Sequence, residues 1–177
     1  MKKLILFFIS FLLWSPYMNA GIFDNQTIKS IDGENMDLSA YKGKTVLFVN
    51  IATKCGYTPQ LKGLEELYQN NKNKNFVVIG LPSNDFGGQT PEAGKDVKKF
   101  CALNYGVTFP LTEKLVVKGD KKHPFVANMI NASGDSSEIG WNFEKFLVDK
   151  NGKVVQRFKS STKPNDTKLV DLIKKNI

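Results

Sequence analysis

Histidine and arginine each occur once in these 177 residues, as His123 and Arg157, and cysteine occurs only twice, as Cys55 and Cys101. One imidazole and two widely separated thiols make no metal-ligand cluster. They also leave no Ser/His/Asp set to propose, and His123-Pro124 reads as a helix start. No glycine-rich phosphate loop is present. Arginine is the usual reader of base edges, so its scarcity speaks against nucleic-acid recognition despite a formal net charge of +8. The basic excess is lysine, dispersed as Lys72-Asn73-Lys74, Lys98-Lys99, Lys121-Lys122 and Lys174-Lys175. It reads first as solvated faces, with weak attraction to anionic surfaces or substrates as the functional alternative. No repeat, low-complexity tract or linker divides the chain, and its length fits one domain with a real core.

Only the first twenty residues carry a long apolar run. Lys2-Lys3 precede Leu4–Trp14, and Ser15-Pro16-Tyr17-Met18-Asn19-Ala20 supplies a polar break. A basic n-region, a short h-region and a small residue at Ala20 make a secretory signal peptide over 1–20, leaving 21–177 as the mature domain. Met18 is bulky for the position three before the cut. No cysteine follows the run, so lipoprotein processing is not indicated. The expected location is exported, periplasmic or secreted, with no stable membrane insertion after cleavage. Taking Lys2 and Lys3 from the 25 basic residues leaves 23 against 17 acidic ones, or +6. Both cysteines lie in the mature part, and in an exported chain a plain structural disulfide is the first hypothesis to weigh.

Turn signals at Asp32-Gly33 and Tyr41-Lys42-Gly43-Lys44 frame a short hairpin, with Ile28 and Ile31 as strand positions. Thr45–Ala52 is apolar with little alternation, as in a strand buried on both faces. A helix through Leu61–Lys72 and a second buried strand, Phe76–Leu81, complete a right-handed βαβ unit. The loop from Ser83 to Pro91 falls at the carboxyl end of that strand, where ligand chemistry gathers in open α/β sheets. A helix from about Glu92 has Val97, Phe100 and Cys101 on its apolar stripe and is closed by Gly106. His123–Ala132 forms a short helix. Phe143–Val148 and Val154–Phe158 form a hairpin around Asp149-Lys150-Asn151-Gly152. Pro164-Asn165-Asp166 then opens a last amphipathic helix with Leu169, Leu172 and Ile173 inward. The order predicts a thioredoxin-like α/β sandwich, a central mixed sheet flanked by helices.

Cys55 falls on the turn between the first buried strand and its helix. Unpaired N–H groups and the macrodipole at a helix start favour an anion, so the thiolate is expected to be stabilised there. A small buried hydrophobe is the bland alternative for a free cysteine. In Cys55-Gly56-Tyr57-Thr58 a threonine stands where a Cys-x-x-Cys pair would have its second thiol. That removes standard disulfide exchange and leaves attack on a peroxide oxygen as the natural chemistry.

The segment Val49–Gln60, with Asn50-Ile51-Ala52-Thr53-Lys54-Cys55-Gly56-Tyr57-Thr58-Pro59 at its heart, resembles the signature around the active cysteine or selenocysteine of glutathione peroxidases. Leu81–Pro91, including Phe86-Gly87-Gly88-Gln89, resembles their second motif, and Trp141-Asn142-Phe143 through Asp149 their third. The similarity runs from about Ile28 to the C-terminus. It implies a catalytic tetrad of Cys55, Gln89, Trp141 and Asn142, the last three being donors able to polarise a peroxide oxygen. On composition alone Gln89 would be a solvated loop residue, Trp141 a core aromatic and Asn142 a turn former. Ser83 departs from the many thiol-type relatives that have cysteine there. Cys101 resembles the resolving cysteine of the thioredoxin-dependent branch, although its helical stripe equally suits core packing. If it is packed away from Cys55, residues 92–106 must lose order on oxidation before the sulfurs reach bonding range.

The implied enzyme is a non-selenium thiol peroxidase acting on hydrogen peroxide and organic or lipid hydroperoxides, with no cofactor and no metal. Its cycle passes through a Cys55 sulfenic acid and a Cys55–Cys101 disulfide. A thioredoxin-like donor is expected to reduce that bond, glutathione being the second choice because cations to grip its carboxylates are limited to lysines and one arginine. The stretch from Leu111 to Trp141 is short for the assembly loop of tetrameric relatives, so a monomer is expected. Two other readings stay open at this point: a redox sensor that relays oxidation to a partner, and a secreted binding domain with a structural disulfide.

Overall fold

The computed structural model describes residues 21–24 and 26–177, and the signal-peptide assignment over 1–20 lies outside them. A small antiparallel pair comes first, β1 (Thr27–Lys29) against β2 (Asn35–Asp37). Ile28 sits in β1 as expected, whereas Ile31 lies just beyond it. Ile31 is buried in the turn, and its N–H donates to the Leu111 carbonyl at 2.9 Å.

The main sheet is built on β3 (Thr45–Ile51), buried at every position: it is mostly apolar, and its Thr45 and Asn50 side chains donate to the Asn176 and Trp141 carbonyls. The helix α1 (Gln60–Asn71) carries the chain over to β4 (Phe76–Pro82), which runs parallel to β3 with Thr45 opposite Phe76 and Ile51 opposite Pro82. Next come α2 (Gly94–Tyr105), α3 (Pro124–Ala132), β5 (Lys145–Val148), β6 (Val154–Phe158) and α4 (Thr167–Asn176). β5 is antiparallel to β3 and β6 to β5, giving the mixed order β4-β3-β5-β6. This is the expected thioredoxin-like sandwich.

Side-chain alternation along β3 divides the core into two layers. Leu47, Val49 and Ile51 meet Leu61 and Leu64 of α1, Val97 of α2, and Leu169 and Ile173 of α4. Val46 and Phe48 face the other way, against Phe125, Val126 and Met129 of α3, with the Phe48 and Phe125 rings 5.0 Å apart edge-on. His123 caps α3: its Nδ1 accepts the Phe125 N–H at 3.2 Å, with Pro124 in the first turn. Asp166 caps α4 on the Lys168 and Leu169 N–H groups.

Two boundaries move for physical reasons. α2 starts at Gly94 rather than Glu92, because the Glu92 carboxylate is held outside the helix by the Thr53 hydroxyl at 2.6 Å and Lys54 at 3.4 Å. β5 starts at Lys145 rather than Phe143, because Phe143 has φ of +67°, a left-handed conformation unusual for an aromatic residue. Its N–H donates to the Asn50 carbonyl at 2.6 Å, which fixes that conformation against β3. Beyond α2, Gly106 closes the helix at φ +69°, and Thr108 is held by Glu65 of α1 through its N–H at 2.8 Å and its hydroxyl at 2.6 Å.

Candidate active site

Cys55 follows β3 by four residues on a tight turn, and it is buried to 7% exposure. The turn is fixed by Thr58. Its hydroxyl accepts the Cys55 N–H at 2.9 Å and donates to the Ala52 carbonyl at 3.0 Å, while the Thr58 N–H donates to the Cys55 carbonyl at 2.9 Å. Thr58 therefore does more than replace a second thiol: it closes the loop that presents the first one. The Cys55 sulfur accepts the Tyr57 N–H at 3.4 Å. This differs from the expectation that the helix itself would supply the donor. α1 begins only at Gln60, so the turn amide lies nearest.

The loop after β4 packs onto this turn. The Gln89 carbonyl accepts the Thr53 and Lys54 N–H groups at 3.2 and 2.9 Å, placing Gln89 beside the cysteine loop as its position at a strand's carboxyl end predicts. Asn142, fully buried, donates from Nδ2 to Gln89 Oε1 at 3.0 Å. With its carbonyl oxygen engaged, the Gln89 amide has its Nε2–H donors left for a ligand, and no hydrogen bond among the described residues uses them. Trp141 is held through its main chain, its carbonyl accepting Asn50 Nδ2 at 3.1 Å. Its ring leans on Phe86 at 5.6 Å and stays 41% exposed. It is thus no core aromatic. With Tyr57, Gly140 and Ser160 it lines an open cavity of about 470 Å³. Among the described residues, the buried side-chain oxygens without partners, Asn50 Oδ1, Thr90 Oγ1 and Asn142 Oδ1, all belong to these same segments. Unused polar capacity is therefore concentrated in the segments that carry the Gln89–Asn142 pair.

Sequence reasoning passed over the groups beneath this arrangement. Arg157 is buried, not solvated: its Nε donates to Glu144 Oε2 at 2.8 Å, Nη1 to the Ser137 and Asp135 carbonyls at 2.7 and 3.1 Å, and Nη2 to the Glu138 carbonyl at 2.9 Å. Glu144 Oε1 accepts the Gly140 N–H at 2.8 Å, so the pair ties the whole segment leading to Trp141 onto β5 and β6. Lys145 also breaks the pattern of solvated lysines. It is fully buried and donates to Gln60 Oε1 at 2.6 Å and to the Thr162 and Ser160 carbonyls. Burial pushes its amine down to about 7, with Glu144 pulling the other way. The signal available in the sequence was position: Glu144 immediately precedes, and Lys145 opens, a strand buried at every residue.

Cys101 lies in the α1/α2/α4 layer, the same apolar layer that Cys55 borders, at 1% exposure. Both thiols are free. Burial, with the Glu92 carboxylate adding like charge, pushes the Cys101 thiol up to about 12, so in this state it is a packed and unreactive side chain. Ser83 is buried beside the loop, its hydroxyl accepting the Asp85 N–H at 3.3 Å. No group of three metal-binding side chains occurs among the described residues, nor a helix long and apolar enough to cross a membrane.

A thioredoxin fold with one thiol on the strand-to-helix turn, no vicinal partner, and the Gln89 loop bonded to that turn suits a thiol-based peroxidase. Comparison with known proteins gives the same class. The sequence profile described as glutathione peroxidase matches residues 22–130. Glutathione peroxidase-like peroxiredoxin 2 of Saccharomyces cerevisiae is 47% identical over 83% of this chain and 94% of its own. The hydroperoxy fatty acid reductase gpx1 of Synechocystis is 43% identical over 77% and 86%. Among solved structures, the crystal structure of Trgpx in apo form superposes with a TM-score of 0.72 at 36% identity, covering 89% of this chain and 96% of that one. The chain belongs to the glutathione peroxidase family, and it is a peroxidase with cysteine at the active position.

Proposed function

We propose that the peroxidase cycle runs through Cys55 and Cys101 and draws its electrons from a thioredoxin-like protein. The Cys55 thiolate attacks the terminal oxygen of a hydroperoxide. The O–O bond breaks, an S–O bond forms, and the departing alkoxide takes a proton to leave as alcohol, with water leaving instead when hydrogen peroxide is the substrate. Gln89 Nε2–H and the Trp141 indole N–H donate to the oxygens as charge develops, and Asn142 holds Gln89 in the donating orientation. The Cys101 thiol then condenses with the sulfenic acid, releasing water and forming the Cys55–Cys101 disulfide. A dithiol donor reduces it by exchange and is itself left as a disulfide.

The observation that carries this reading is the Asn142–Gln89 hydrogen bond at 3.0 Å, which leaves the Gln89 amide donors free on a loop bonded to the cysteine turn. In this cycle α2, which holds Cys101 buried, unwinds before the second bond forms, and the free state of both cysteines speaks against a permanent structural disulfide. Glutathione is the weaker reductant candidate, because Arg157 is committed to internal carbonyls and lysines alone remain for its carboxylates. A relative named hydroperoxy fatty acid reductase supports organic hydroperoxides as substrates. Export and a monomeric state complete the proposal, resting on the character of residues 1–20 and on the short span between Leu111 and Trp141.

Intact mass after one equivalent of peroxide tests the cycle. Wild type should lose two hydrogens, and Cys101→Ser should instead retain a trappable sulfenic acid. A wild type that gains oxygen and forms no internal disulfide rules out the role given to Cys101. Absence of sustained turnover with any thiol reductant would sink the cycle as a whole.

A further inference from the structure

Lys145 is a buried charge that the cycle above does not use. Its sheet partners are Val49 of β3 and Phe158 of β6, so its side chain enters the α1/α2/α4 layer of the core that they share. There Nζ meets three acceptors: Gln60 Oε1 at 2.6 Å, the Ser160 carbonyl at 3.4 Å and the Thr162 carbonyl. Gln60 Nε2 donates to the same Ser160 carbonyl at 2.8 Å, so Lys145, Gln60 and Ser160 close a ring of hydrogen bonds. That ring joins two parts of the site. Gln60 opens α1, and its N–H donates to the Tyr57 carbonyl at 2.9 Å. The Tyr57 N–H is in turn the donor on the Cys55 sulfur. Ser160, with Tyr57, lines the cavity beside Trp141.

We propose that Lys145 is a positioning residue for the peroxide step, its ammonium clamping Gln60 to the Ser160 loop so that the Tyr57 amide stays on the Cys55 sulfur and the cavity beside Trp141 keeps its wall. The assignment rests on the peroxidase reading and adds a residue to it. Among the described residues no carboxylate bonds to Lys145. Glu144 is the charged group that acts on it, and Glu144 is itself bonded to Arg157. The other elements packed against the amine face it with Val49, Phe158, Gln60 and main-chain carbonyls, none of them charged. A cation buried against neutral oxygens is a poor way to stabilise a core, and an apolar side chain of that length would fill the space at less cost. Its use lies in the groups those oxygens belong to. An ammonium has one donor for each of the three acceptors, whereas a neutral amine has two donors in all, so loss of the proton releases one arm of the clamp. Burial pushes the amine down to about 7, which puts that release near neutral pH.

The test separates the two half-reactions. The second-order rate constant for oxidation of the reduced protein by hydrogen peroxide should fall about tenfold or more in Lys145→Met, since a misplacement of about 1 Å can cost about a hundredfold. Reduction of the oxidised protein by dithiothreitol should keep its wild-type rate. Gln60→Met, which leaves Lys145 its two carbonyls, should slow oxidation similarly and carries the test if the lysine variant does not fold. The double variant should be no slower than the slower single one, because both act through one ring. The ratio of wild-type to Lys145→Met oxidation rates cancels titrations common to both. It should shrink as pH rises through about 7, where Lys145 loses its proton. Wild-type oxidation rates in both single variants, losses that multiply in the double variant, a ratio flat across neutral pH, or equal loss in both half-reactions overturns the assignment. A wild type that peroxide leaves unoxidised refutes instead the peroxidase cycle on which it rests.

Discussion

Removing the guanidinium of Arg157 should be the most damaging single change away from the cysteines. Arg157 and Glu144 keep only 3% and 2% side-chain exposure, so neither charge can be rescued by water in place. In Arg157→Met the Glu144 carboxylate is left buried without its partner. The carbonyls of Asp135, Ser137 and Glu138 lose their donors at the same time. Breaking one side of a buried pair costs about 3–5 kcal/mol. In a domain of this size each kcal/mol moves Tm by about 2–4 °C, so a fall of roughly 6–20 °C is expected. Scanning calorimetry on reduced protein gives the value. A double-mutant cycle with Glu144→Gln identifies its origin, because the amide oxygen of the introduced glutamine can still accept the Gly140 N–H. The double variant should be more stable than the sum of the single losses by at least about 1.5 kcal/mol. Peroxide turnover should fall alongside, since the same contacts hold the segment that carries Trp141. A Tm shift under about 3 °C, or strict additivity in the cycle, would refute the assignment of this pair as the anchor of that segment.

Cys101 and Lys145 should bend the pH dependence of stability in opposite directions. The Cys101 thiol, at about 12 in the folded protein against 9.0 for the free group, binds its proton more tightly when folded. Stability conferred at neutral pH is therefore lost from pH 9 upward, by up to about 1.4 kcal/mol per unit, and denaturant titration against Cys101→Ala should show that slope. Lys145, at about 7 against 10.5, gives up its proton on folding. Relative to Lys145→Met, stability should fall as pH drops from 10.5 to 7, and a flat difference in either comparison would contradict the burial argument. Thr58→Val removes the hydroxyl between the Cys55 N–H and the Ala52 carbonyl and should cost about 2–4 kcal/mol with much of the activity, whereas Thr58→Ser should retain both stability and turnover. Chemical denaturation and peroxide turnover on the two variants check this.

The sheet was legible because β3 and β4 are predominantly apolar runs with little polar alternation, and such runs have few ways to be buried. Helix ends were legible where local chemistry dictates them, as at Gly106, Pro124 and Asp166. Gln89, Trp141 and Asn142 could be placed only through the three motifs taken together. No periodicity distinguishes Trp141 from a core aromatic, yet its ring lies half in solvent. The polar groups under the site were hidden for a different reason. Glu144, Lys145 and Arg157 look like surface charges in any window of sequence; Arg157 is buried against carbonyls of a turn about 20 residues away, Lys145 against the Ser160 and Thr162 carbonyls, and Glu144 against Arg157 and the Gly140 N–H. The late start of β5 was likewise invisible, since only the pairing of Phe143 with Asn50 imposes its left-handed backbone.

The two attachments that bracket α2 bear on how such an enzyme resets. Glu92 is fastened to the cysteine turn by Thr53 and Lys54, and Thr108 to α1 by Glu65. If the 12 residues of α2 unwind, their reach grows from about 18 Å to about 40 Å, yet both ends stay moored to the rigid sandwich. The released strand is then a tether of fixed span rather than a free loop. Its re-coiling after reduction begins with the ends already in register, so little closure entropy opposes it. In the proposed cycle the helix acts as a spring latch, opened by one sulfur–sulfur bond and reset when that bond is cut.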